Sequence, residues 1–116
     1  MSKLFVLNGS DMGIAHDLKE EISFVGRAPD NHVQIKEKHI SRRHLKVVQK
    51  GERYFIEDLG SANGTFIRDQ RIAPGKVFEV GEGVPIAIGN VSISLGKEYN
   101  RDISGFEKTI DPSSPL

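Results

Sequence analysis

Apolar residues in this chain come in short bursts, each closed by turn chemistry, and none forms a sustained helical stripe. That pattern constrains the fold more than any other feature. Residues 3–7 read as a first strand, closed by Asn8-Gly9-Ser10-Asp11, and residues 13–18 as a second, poorer one. Residues 21–26 alternate, with Ile22, Phe24 and Gly26 on one face and Glu21, Ser23 and Val25 on the other. Ala28-Pro29-Asp30-Asn31 is a turn. Residues 33–35 then make a short strand before the polar loop Lys36-Glu37-Lys38-His39. Residues 44–49 and 53–59 form a hairpin around Lys50-Gly51-Glu52. Residues 65–67 and 71–72 flank a turn at Asp69-Gln70. Residues 76–80, 84–88 and 91–95 complete the series, with Gly89-Asn90 as a two-residue hairpin turn.

About ten or eleven short strands with turns roughly every eight to twelve residues predict an all-β sandwich or barrel. The 116 residues suit one domain with one core. The apolar pattern stops after Leu95, so the expected division is a folded domain over residues 1–96 and a polar tail or linker over 97–116. In that tail Ile103, Phe106 and Ile110 are the only residues suited to docking.

Several function classes are disfavoured. Lys plus Arg equals Asp plus Glu at 16 each, so the chain lacks the net basic character usual in nucleic-acid modules. No run approaches the roughly 20 apolar residues of a membrane helix, and the first seven residues are too short for a signal peptide. A cytoplasmic setting is the expectation. There is no cysteine, and His16, His32, His39 and His44 lack ligand-like spacing, so neither a metal nor a cofactor is expected. Gly60-Ser61-Ala62-Asn63-Gly64-Thr65 lacks the lysine of a nucleotide-binding loop. Ser41, His44 and Asp58 are the residue types of a hydrolase. They lack a nucleophile elbow, and side chains three apart at a strand start point to different faces, so no enzyme is expected.

Three polar clusters fall in loops at strand ends, where a rigid sandwich carries its binding residues. They are Gly26-Arg27, Ser41-Arg42-Arg43-His44 and Ser61-Ala62-Asn63-Gly64-Thr65. Arg27 and Arg42 offer planar, permanently charged forks that match phosphate oxygens, and Ser41 a hydroxyl donor. Asn63 has the donor and acceptor needed to hold a peptide main chain. Each charge-assisted bond is worth roughly 1.5–3 kcal/mol, so two or three discriminate phosphorylated from plain peptide several-hundred-fold. Each cluster also has a structural reading: a surface ion pair for Arg27, a packed imidazole for His44, a positive-φ turn for Asn63-Gly64.

Together the clusters resemble the forkhead-associated (FHA) domain family. The matching text is Phe24-Val25-Gly26-Arg27, Val33-Gln34-Ile35, Ile40-Ser41-Arg42-Arg43-His44, and the run from Asp58 through Ser61-Ala62-Asn63-Gly64-Thr65 to Ile67, and the resemblance extends over residues 4–95. It implies an eleven-stranded β-sandwich of the FHA/SMAD-like kind, with loops at one end that read phosphothreonine in a partner protein. By analogy Arg27, Ser41 and Arg42 contact the phosphate and Asn63 the peptide backbone. Gly26, His44, Gly64 and Thr65 brace the loops. Ala62 stands where many members have Thr or Ser, which removes one hydroxyl contact. Flanking-residue specificity is expected from residues 36–39, His39 above all, and from residues 68–71. The resemblance also implies fusion to a further domain in a longer protein. The alternative is an FHA-like assembly module, as in secretion systems, without phosphopeptide binding. Thr109, in Glu107-Lys108-Thr109-Ile110-Asp111-Pro112, is a candidate phosphoacceptor.

Overall fold

The computed structural model describes residues 2–97. Eleven strands follow in chain order: β1 (Ser2–Val6), β2 (Ala15–Leu18), β3 (Ile22–Gly26), β4 (Val33–Gln34), β5 (Leu45–Lys50), β6 (Arg53–Asp58), β7 (Thr65–Ile67), β8 (Gln70–Arg71), β9 (Val77–Val80), β10 (Ile86–Ile88) and β11 (Val91–Gly96). They form two sheets, β2-β1-β11-β10-β7-β8 and β4-β3-β5-β6-β9. Every adjacent pair given in register is antiparallel except β3–β4. The tail residues, including Thr109, lie outside the described residues.

Alternation builds the core. On β1, Leu4 and Val6 pair with Leu95 and Ile93 of β11, and all four are buried. On the opposite sheet Leu45 and Val47 of β5 pair with Asp58 and Ile56 of β6, again buried. Facing apolar rows of this kind close a sandwich, each buried branched side chain contributing roughly 1.5–3 kcal/mol.

Two local details depart from the sequence pattern. The alternation on β3 holds, but its apolar side faces outward: Ser23 and Val25 are buried, while Ile22 is exposed and Phe24 half-buried. Pairing with β5 sets this phase, because Ser23 and Val25 lie opposite the inward Val47 and Leu45. Phe24 is covered from outside instead, by the Arg43 guanidinium 4.5 Å above its ring and by stacked His32. The β7–β8 turn falls at Arg68-Asp69, one residue before its expected place. Both residues have positive φ (51° and 66°), as a two-residue hairpin turn requires, and Ile67 pairs with Gln70.

Strand polarity brings the three polar clusters together. β3 and β6 end where β5 and β7 begin, since Val25 pairs with Leu45 and Leu45 with Asp58. The loops 27–32, 35–44 and 59–64 therefore emerge at one end of the sandwich. β1 begins, and β11 ends, at the opposite end, where Lys3 pairs with Gly96.

Candidate functional site

The Arg27 loop is zipped to the Ser41-Arg42 segment through backbone. Arg27 N–H donates to the Ser41 carbonyl at 3.0 Å and Ala28 N–H to the Arg42 carbonyl at 3.1 Å. Gly26 makes this approach possible, since a Cβ there would fall inside the Arg42 carbonyl group and within 2.9 Å of Arg43 Cα. Asn31, buried beneath, ties the same two segments with Nδ2, which donates to the carbonyls of Ala28 (2.8 Å) and Arg42 (2.7 Å). The Arg27 side chain is anchored by Nε, which donates to the Ile40 carbonyl at 3.1 Å. That bond orients the guanidinium and leaves its terminal nitrogens without a partner among the described residues.

His44 joins this segment to the third loop. It is fully buried, and burial pushes its imidazole below the ordinary histidine value, against the hydrogen bond to Gly64 and the Asp58 charge, which act to raise it. Nδ1 accepts the Ser41 N–H at 3.1 Å, so the proton of the neutral ring sits on Nε2, which donates to the Gly64 carbonyl at 3.0 Å. One side chain thereby fixes the Ser41 amide and the Gly64 carbonyl relative to each other.

Asp58 organises the 59–64 loop. Its Oδ2 accepts the N–H groups of Gly60 and Ser61, both at 3.0 Å, and its Oδ1 accepts the hydroxyls of Ser61 and Thr65, both at 2.6 Å. Burial alone would raise its carboxyl pKa. The hydrogen bonds from Ser61 and Thr65, with His44 nearby, outweigh burial and hold it below the ordinary carboxylate value. Asp58 ends β6 and Thr65 begins β7, so this bond also pins the two sheets together at the loop end. Ser61 Oγ in turn accepts the Gly64 N–H at 3.0 Å. The sequence pattern set Asp58 aside as a failed catalytic acid, placed Ser61 in a polar cluster without giving it a role, and marked Asn31 only as a turn residue. A signal for Asp58 was present: it continues the inward phase of Tyr54 and Ile56, and a carboxylate in that phase must be satisfied.

The exposed surface of this frame carries the polar groups. Ser41 Oγ accepts the Ala62 N–H at 3.0 Å, which leaves its own O–H to donate outward. Asn63 Nδ2 donates to the His39 carbonyl at 2.7 Å, presenting Oδ1 at the surface. Arg42 is exposed, and among the described residues its guanidinium has no carboxylate or hydrogen-bond partner. By contrast Arg43 holds Asp30 at 3.1 Å and Arg53 holds Glu79 at 2.8 Å. A chain with no net charge thus concentrates unneutralised guanidinium at its loop end. Lys36, Lys38 and His39 are exposed on the adjoining loop.

Ser41, His44 and Asp58 do come together, but through atoms unsuited to nucleophilic catalysis. His44 Nδ1 meets the Ser41 amide rather than its hydroxyl, and Nε2 lies 3.9 Å from Asp58 Oδ1 while bonded to Gly64. Among the described residues no group of three or more His, Cys, Asp or Glu side chains could hold a metal ion.

The loop end of the β-sandwich thus exposes the Ser41 hydroxyl, the Asn63 side chain and the guanidinium groups of Arg27 and Arg42, neither paired with a carboxylate among the described residues, a set of groups suited to an anion such as a phosphate. Comparison with known proteins agrees. The family model for the FHA domain matches residues 24–89. The chain is 36% identical over 118 residues to the FHA domain-containing protein PS1 of Arabidopsis thaliana, covering 94% of this chain and 8% of that protein. It is 32% identical over 92 residues to the FHA domain-containing protein FhaB of Mycobacterium tuberculosis, covering 79% of this chain and 58% of that protein. Among solved structures, a domain from a structural and functional study of phosphothreonine-dependent FHA domain interactions overlays with a TM-score of 0.70 at 28% identity, covering 84% of this chain and 96% of that one. The chain belongs to the FHA domain family, whose members are non-catalytic, phosphopeptide-binding interaction modules. It spans less than two thirds of the length of either curated relative.

Proposed function

We propose that this domain binds phosphothreonine in a segment of a partner protein. Arg27, Ser41 and Arg42 take the phosphate, and Asn63 holds the adjoining main chain. The observation that carries this reading is the Arg27 anchor: Nε is committed to the Ile40 carbonyl and the backbone N–H to the Ser41 carbonyl, while the two terminal nitrogens of the exposed side chain have no partner among the described residues. An arginine serving a surface ion pair would instead hold a carboxylate, as Arg43 and Arg53 do. Likeness to a domain studied for phosphothreonine-dependent interactions supports the same reading. His39 and Ala62, exposed on either side of Asn63 and Ser41, border the residues that flank the phosphothreonine.

The test is fluorescence anisotropy with a degenerate library centred on phosphothreonine, against matched phosphoserine and unphosphorylated libraries. Micromolar binding, about −8 kcal/mol, is expected for phosphothreonine alone and is lost in Arg27→Ala. Folded protein that binds none of the libraries would overturn the reading and leave the assembly module.

A further inference from the structure

We propose that Arg71 determines specificity, its guanidinium reading an anionic side chain that flanks the phosphothreonine. The inference rests on the phosphothreonine reading above and deepens it.

β8 pairs Arg71 with Phe66 of β7, two residues from Gly64. Gly64 has a φ of 87°, and a Cβ there would lie 2.5 Å from Arg71 Nε and 2.9 Å from Cζ. The guanidinium therefore lies directly on Gly64, the residue after Asn63, and helps to bury it. Arg71 is itself exposed, and among the described residues it has no carboxylate or hydrogen-bond partner. Glu79, which lines a groove with Arg71, is taken by Arg53 through Nε and a terminal nitrogen at 2.9 and 2.8 Å.

Arg71 is thus a held but unneutralised fork, one residue from the side chain that would grip the peptide main chain. The groove it lines is open, about 450 Å³ in volume, with Ile67, Ile72, Phe78 and the Arg53-bound Glu79 among its walls, and has room for a flanking side chain. A planar guanidinium resting on a glycine loses little freedom when it binds, and its geometry favours carboxylate or phosphate. One charge-assisted bond at a solvent-exposed edge corresponds to a preference of about five- to tenfold. The same arginine acting only as a cover for Gly64 would give no preference for flanking charge.

Those two roles separate in a positional scan with the whole chain. Phosphothreonine peptides carry Glu, phosphoserine or Gln in turn at each of the four positions on either side, and affinity is read by anisotropy. At one position Glu or phosphoserine is expected to bind about five- to tenfold more tightly than Gln, the tighter of the two identifying carboxylate or second phosphate as the group read. Arg71→Gln should abolish that preference while binding the Gln peptides within about twofold of the parent, and Arg71→Glu should come to favour Lys at the same position. The proposal fails if no position shows a charge preference, or if Arg71→Gln weakens Glu and Gln peptides equally. Absence of binding to every peptide, Gln series included, would overturn the phosphothreonine reading and this inference with it.

Discussion

Replacing His44 with Leu isolates the contribution of one buried ring to the site. Leucine has comparable bulk, so the core stays filled and the two hydrogen bonds are what is lost. The Gly64 carbonyl lies in a buried bond, and stranding it costs about 1–3 kcal/mol. The Ser41 amide is only part-buried, and water recovers some of its loss, leaving about 1 kcal/mol. The expected destabilisation is about 2–4 kcal/mol, a large share of the roughly 5–15 kcal/mol that holds such a domain. Urea unfolding followed by far-ultraviolet circular dichroism measures it. The same variant tests protonation. His44 titrates below its ordinary value of about 6.5 in the folded state, so the unfolded chain takes up protons first as the solution is acidified. Stability from this group is fully present above about pH 6.5 and declines as the pH falls toward the depressed folded value. The parent should therefore lose more stability than His44→Leu between pH 7 and 5. His16, which burial also depresses against the opposing charge of Asp11, keeps a residual slope in both proteins. A loss under 0.5 kcal/mol, or identical pH slopes in the two proteins, would refute the reasoning.

Other perturbations have directions fixed by the same geometry. Gly26→Ala drives a methyl into the Arg42 backbone, so it should cost about 1–3 kcal/mol in unfolding and also weaken phosphopeptide binding, read by the two assays in parallel. Ala62→Thr adds a hydroxyl beside the amide that Ser41 already holds, and should tighten phosphothreonine peptides by up to about tenfold without lowering the unfolding midpoint. Binding should weaken as pH falls through about 6, where the phosphate loses its second charge while the arginines keep theirs; affinity unchanged down to pH 5 would rule out recognition of the dianion.

The strands were legible because each is bracketed by residues that turn chains, as Gly51-Glu52 does between β5 and β6. The outward face of β3 was not, because hydrophobicity marks Ile22 and Phe24 as the better core residues and only pairing with β5 shows that Ser23 and Val25 take those places. For the site, the sequence pattern drew attention to Arg27, Ser41, Arg42 and Asn63, and the fold brings their loops to one end. The resemblance named Gly26, His44, Gly64 and Thr65 as braces; what stayed hidden was the rest of the support. Asp58 reads as a hydrolase-type acid and Ser61 as one member of a polar cluster until the chain folds back and aims four donors, from Gly60, Ser61 and Thr65, at one carboxylate. Asn31 reads as a turn residue, yet its side chain carries the bonds that hold two segments eleven positions apart. The Asn31 contact depends on closure of the loops, which no local pattern encodes, whereas the inward phase of Asp58 is written in the alternation of β6.

The pairing of β1 with β11 has a mechanical consequence. Both ends of the strand pair leave the sandwich on the side away from the binding loops, and their ladder bonds run perpendicular to the strands. A pull applied to the two ends would load those bonds one after another, peeling the pair open like a zipper instead of shearing the whole ladder at once. Tension carried through flanking chain would thus begin to act at Ser2 and Gly96, and the braced loops at the opposite pole would be the last part of the molecule to feel it.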